Sequence, residues 1–264
     1  MNVFIQELKQ NRNSTIVWAI ALISIAALYI SIFPSISENT NIADITKNFP
    51  EAFKKTFGIT DDFLSAFPSL YALVLNLVLL TGAVQAMNLG TSIISKEVRD
   101  KTAEFLLTKP ISRASVLHQK LLSVFTLILI TDLVFFAANW GLIQVFIDDP
   151  FKFKTFFISS LSLFLVQSFF VSFGFLLGTV LPKVKSVIAV SLPAVFGFYI
   201  IGMLDTLIGE EKIKFLTPFK LFNVNALTAG GGYELGMLVY LAVLMIGAVL
   251  TSFVVYQKKD IHTI

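Results

Sequence analysis

No cysteine occurs among the 264 residues, so disulfides, thiolate metal sites and thiol nucleophiles are excluded. Histidine is almost as scarce: His118 and His262 are the only two, and both flank apolar runs instead of lying within them. That leaves no imidazole cluster for a metal-ion pathway. No glycine is followed by lysine, so the chain has no P-loop. His-Glu-x-x-His and Gly-x-Ser-x-Gly do not occur either. Charged residues make up only 14% of the chain, where a soluble domain carries roughly a quarter.

What is present is apolar. Hydrophobic residues account for 56% of the sequence, 27 of them phenylalanine, and the mean hydropathy is +0.81. They gather in blocks of about twenty, the length at which a helix crosses a hydrocarbon core of ~30 Å. The pattern predicts an all-α polytopic membrane protein, with residues 1–264 forming one domain. Six spans are expected: Thr15–Phe33, Leu70–Ile94, Val116–Phe146, Phe156–Leu181, Val187–Ile208 and Leu235–Tyr256. The polar opening from Met1 to Asn13 and the full-length run after it do not read as a cleavable signal peptide.

Orientation follows from the basic residues. Lys9, Arg12, Lys96, Arg99, Lys101, Lys109, Arg113, Lys120, Lys183, Lys185, Lys258 and Lys259 all fall in one set of short segments. The remaining lysines spread over longer, acid-rich loops of the opposite set, so both termini are expected in the cytoplasm. Phe4 and Leu8, one turn apart in Val3–Arg12, predict a helix lying along the inner leaflet before the chain turns into span one. Beyond that span, Phe49, Phe53 and Phe57 recur every four residues and suggest an amphipathic helix on the outer face. Between spans five and six, the apolar stretch ending in Gly230-Gly231-Gly232 predicts short re-entrant or interfacial helices.

Polar side chains inside the spans are few. Asp132 lies about 18 Å of helix rise beyond Lys120, near mid-membrane. Asp205 is placed near the outer surface, so the two acids differ in depth and do not form a proteolytic dyad. A carboxylate at mid-membrane is costly and faces a partner or a polar cavity. Asn139 follows Asp132 by seven residues on the same helix face, and span two carries a stripe of Thr81, Gln85 and Asn88. These five residues are candidates for a substrate pathway; the competing role is interhelical hydrogen bonding. Gly174 and Gly178 permit close helix approach, although such pairs also arise by chance in apolar runs. Neither inverted repeats nor broken midplane helices suggest a secondary transporter.

The richest surface chemistry is a charged island, Lys96 to Arg113, between spans two and three. Ser95 to Thr108 can form a short helix with Glu97 and Lys101 paired one turn apart. Phe105, Leu106 and Leu107 form an apolar tip amid the charge, Pro110 breaks the helix, and Ser112 suits the N-cap of span three. Such an elbow beneath the membrane suits docking to a soluble partner.

Glu97-x-x-x-x-Thr102-x-Glu104-x-Leu106-Leu107-x-x-Pro110-Ile111-Ser112-Arg113, followed by Lys120, resembles the signature loop of ABC-2-type transporter permeases. Thr217-Pro-Phe-Lys-Leu-Phe222 is similar to that family's Ser/Thr-Pro-Phe-x-x-Phe element before the last span. Lys101 stands where a glycine is common, which stiffens the elbow. The resemblance covers essentially the whole chain. It implies the permease half of an ABC exporter, working as a homodimer or with a related permease, beside separate ATPase subunits that carry ATP and Mg. It also implies a coupling helix within Glu97–Leu107, with ATPase-coupling roles for Glu97, Arg99, Thr102, Glu104, Phe105, Leu106 and Arg113. No cofactor or nucleic acid is expected on this chain, and its place is a bacterial cell membrane, in contact with lipid. A hydrophobic or amphipathic cargo, with a peptide as the leading expectation, suits the phenylalanine-rich wall. The alternative is a non-transporting immunity or sensor protein that binds a peptide or kinase.

Overall fold

The computed structural model describes residues 3–37, 50, 54, 66–99, 112–148, 152–208, 213–222 and 224–258. Among these there is no strand. Six long helices carry the chain back and forth: α1 (Val3–Ser37), α2 (Phe67–Arg99), α3 (Arg113–Phe146), α4 (Phe153–Val180), α5 (Val187–Ile208) and, after three short turns, α8 (Leu235–Lys258). All six are long and apolar enough to cross a membrane. The expected outer helix around Phe49, Phe53 and Phe57 lies outside the described residues.

The centre of the bundle is the seam between α2 and α4. Gly82 and Gly90 on α2 face α4, while Gly174 and Gly178 on α4 face α2. A Cβ on Gly174 would stand 2.7 Å from the Met87 carbonyl oxygen, and one on Gly178 would stand 2.8 Å from that of Thr91. The glycine pair on span four is therefore a backbone-to-backbone contact with Met87 and Thr91, and Gly90 makes a like contact with the Val171 and Phe175 backbone of α4. Around the seam Tyr71, Leu75, Leu79, Phe156, Phe170 and Phe175 are fully buried. Helix α1 packs mainly on α3, α8 packs on α4, and α5 leans on α2. The outward faces of α1 and α8 remain apolar (Ile16, Val17 and Ile20; Val239, Val243 and Ile246), as a surface solvated by lipid requires.

Two boundaries differ from expectation. Helix α1 is one continuous helix of 35 residues, about 52 Å of rise, so Val3–Arg12 extends span one and does not turn away from it. No proline or glycine interrupts Val3 to Thr15, and the polar residues there are compatible with helix. Likewise α2 runs unbroken through Ser95 to Arg99, so these residues prolong span two instead of opening a separate short helix. Ser112 behaves as expected: extended at φ −66° and ψ 146°, it caps α3, its hydroxyl accepting from the Ser115 N–H at 3.2 Å.

Between α5 and α8 the chain makes a 3-10 turn (Ile213–Leu216) and two short helices, α6 (Pro218–Leu221) and α7 (Val224–Thr228). The short helices end at the glycines. Gly230 takes φ +94°, and the Gly231 N–H closes the turn on the Ala226 carbonyl at 2.8 Å. Thr217 fixes this segment twice: its hydroxyl donates to the Phe198 carbonyl at 2.8 Å and accepts from the Phe219 N–H at 3.4 Å. Phe219 then seats between Phe170 and Tyr199, and Phe222 meets Tyr233 edge to face. The Tyr233 hydroxyl donates to the Ile158 carbonyl at 2.5 Å, and burial pushes its phenol above the ordinary value.

Candidate functional site

The roots of the charged island meet one carboxylate. Glu7, 3% exposed near the start of α1, accepts from Lys96 at the end of α2 and from Lys120 near the start of α3, the latter at 3.3 Å. Lys120 is fully buried and also donates to the Ile93 carbonyl at 2.5 Å, while Lys96 reaches the Gln10 side chain at 2.7 Å. Gln119 on α3 adds a second tie, its Oε1 accepting from the N–H groups of Val3 and Phe4 at 3.0 and 3.4 Å. These would otherwise be orphan donors of the first helical turn. Three helix ends are thus joined beside the island by buried, charge-assisted bonds. At the same end of the bundle, the Arg113 guanidinium lies 3.4 Å from the Gln257 carbonyl and the His118 ring rests on Phe253. The first described residues, the last ones and the helix ends that flank the island therefore share one end.

Deeper in the bundle, a polar group spans three helices. The Gln85 amide on α2 donates to the Thr131 hydroxyl on α3 at 3.0 Å, and the Thr131 hydroxyl donates to the Leu127 carbonyl at 3.0 Å. Gln167 on α4 lies 3.3 Å from Gln85 Oε1 on one side. On its other side it lies 3.1 and 3.2 Å from the two carboxylate oxygens of Asp132. Gln85, Thr131 and Gln167 are completely buried. Asp132 is only half-buried, at the edge of the lipid-facing stripe formed by Leu129, Ile130, Leu133 and Val134.

Nearer the opposite end, the buried Asn139 donates to the Tyr71 hydroxyl at 2.8 Å. An apolar cavity of ≈ 440 Å³ opens between α4, α5, the short turns and α8, lined by Phe169, Phe173, Phe198, Phe215 and Tyr240 among others.

A family model for ABC-2 family transporter proteins matches residues 1–261, all but three of the chain. The chain belongs to that family. No match was found among curated proteins. The protein is thus a multi-pass membrane permease component of an ABC transporter, a transport component and not itself a catalyst. Permeases of this family work with ABC ATPase subunits.

The residues expected to matter in this ABC-2 permease separate into groups. Glu97 and Arg99 sit on the last turn of α2, and Arg113 opens α3. Thr102, Glu104, Phe105 and Leu106 lie outside the described residues. Of the five pathway candidates, Gln85 and Asp132 join one group through Gln167. Asn139 belongs to a different contact with Tyr71, and the Thr81 hydroxyl bonds its own helix at Leu77. Asn88 is half-buried, with its Oδ1 unbonded among the described residues. Glu7, Gln119, Thr131 and Gln167 were not among the candidates. Gln167 had a legible signal, being the only amide side chain in span four. Glu7 had none, since a helix-borne acid beside a membrane is more often simply solvated.

Proposed function

We propose that this chain is the membrane half of an ATP-driven exporter: two permease copies, or this one and a related permease, coupled through the island to separate ATPase subunits in the cytoplasm. The outer ends of α1 and α8 and the helix ends that flank the island lie at one end of the bundle, and the excess of basic residues in their segments supports a cytoplasmic position for that end. The observation that carries the reading is the Glu7 cluster. A flexible loop cannot transmit force, but the two helices that flank this one are tied through Lys96 and Lys120 to one buried acid. A push on the island is then delivered to α1, α2 and α3 together. Coupling further requires that the closed ATPase pair fit the two permease states unequally. The apolar, aromatic-lined cavity and phenylalanine-rich wall support a hydrophobic or amphipathic cargo, with a peptide as the first class to try.

Two experiments test the proposal. Affinity capture of the permease from its native membrane brings down an ABC ATPase in equal amount. Glu104→Arg or Glu97→Ala then abolishes cargo-stimulated ATPase activity of the reconstituted complex while the permease still folds in membranes. Capture without an ATPase removes the exporter reading. Full stimulated activity in both variants removes the docking role of the island.

A further inference from the structure

Asp132 is a carboxylate at mid-membrane whose charge none of the described residues neutralises. On its buried side it meets a neutral amide, Gln167, and among the described residues no cation stands within ion-pair distance. On its other side the neighbours Leu129, Ile130, Leu133 and Val134 are 44 to 59% exposed to lipid. Headgroups are out of reach: Lys120 lies about 18 Å of rise toward one end and Phe146 about 21 Å toward the other. A second identical copy cannot supply the missing charge. Every Lys and Arg in the sequence lies outside the expected spans except Lys120, which is close to one end and engaged with Glu7.

The amides behind Asp132 are arranged to register its charge. An amide's ends are assigned by the bonds they satisfy. With Asp132 ionised, Gln167 turns its NH2 to the carboxylate, and Gln85 and Thr131 would have to reverse their own bonds to match it. With a proton on Asp132, the whole chain reverses and ends on the Leu127 carbonyl. Both orientations are complete, so the three neutral side chains can support the carboxylate without neutralising it. Neutralisation is left to a proton or to a cation that approaches from the exposed side.

We propose that Asp132 is the counter-ion for a positively charged nitrogen on the cargo, which makes the transported class cationic amphiphiles, cationic peptides included. This deepens the permease reading and rests on it. A mobile amphiphile is a source of cationic charge suited to this depth: its tail is at home among the exposed leucines and valines, and its nitrogen meets the acid. Desolvation makes such a pair stronger here than at a surface.

The test uses the full-length permease in nanodiscs of zwitterionic phosphatidylcholine. The probes are dodecyltrimethylammonium, whose charge is permanent, and uncharged dodecanol, with equilibrium binding measured for each. Wild type is expected to bind the cation at least tenfold tighter than dodecanol. Asp132→Asn should lose at least tenfold in cation affinity with dodecanol binding unchanged, and Asp132→Glu should stay within about threefold of wild type. A cation-to-neutral ratio near one in wild type overturns the proposal whether or not any variant folds. Equal cation binding by wild type and Asp132→Asn overturns it as well, and so does an Asp132→Glu loss as large as that of Asp132→Asn. No ATPase is present in this measurement. Failure here leaves the exporter reading standing, and failure to capture an ATPase leaves this result readable.

Discussion

Removing the charge from Glu7 is the sharpest perturbation of the frame that holds the island. Glu7→Gln keeps the shape and can still accept a hydrogen bond, but it removes the Glu7 charge from the fully buried Lys120 ammonium. Breaking a buried pair from one side costs about 3–5 kcal/mol, because the remaining charge stays desolvated. Lys96, 18% exposed and also bonded to Gln10, can turn toward water, so its share of the loss is small. The expected loss is therefore near the lower bound, about 3 kcal/mol, and it belongs to Lys120. The double variant Glu7→Leu with Lys120→Met removes both charges and should recover most of it, since an apolar pair of similar volume replaces a buried ion pair at little cost. Steric-trap unfolding in bicelles measures these free energies directly. A Glu7→Gln loss below about 1 kcal/mol, the range of an exposed pair, would refute the argument. So would a double variant no more stable than the single one. If the double variant is stable but the ATPase complex loses cargo stimulation, the charge pair serves coupling as well as folding.

Three further outcomes follow from the packing. Gly174→Ala places a methyl against the Met87 carbonyl and should destabilise the bundle by about 1–3 kcal/mol, whereas Gly247→Ala, which meets open space, should be near neutral; thermal unfolding of the two proteins side by side decides it. Asn139→Leu removes an interhelical hydrogen bond and should cost about 1 kcal/mol in the same unfolding assay, with no change in the binding of the dodecyl cation. Thr217→Val keeps the shape but loses both the bond to Phe198 and the cap on Phe219, so about 1–2 kcal/mol should go, together with faster amide exchange in 219–222.

The spans were legible in the sequence because burial in lipid requires unbroken apolar runs, and the structure moves most of their ends by only a few residues. The long exceptions are α1 and α2, whose helices continue into polar sequence. Hydropathy marks where a helix leaves the hydrocarbon, not where its hydrogen bonding stops. Ser112 was legible because a cap is a local device. The polar groups were legible only singly. Asp132 and Asn139 share a helix face at a spacing of seven, yet two turns of helix separate them by about 10 Å, enough for one to meet α4 and the other α2. Gly174 and Gly178 looked like a chance pair because their significance depends on the Met87 and Thr91 backbone they meet, in a different span. Glu7 was invisible for the same reason on a larger scale: its meaning lies in two lysines far along the chain.

That separation bears on how the protein is made. Glu7 is synthesised 89 residues before Lys96 and 113 before Lys120. Helix α1 therefore enters the membrane while its acid is still uncompensated, and it can settle against its neighbours only after the start of α3 has emerged. The first three spans must assemble as a group, with the island threaded between two of them. A chain halted after span two would leave α1 loosely held at its charged end, open to the proteases that remove unfinished membrane proteins.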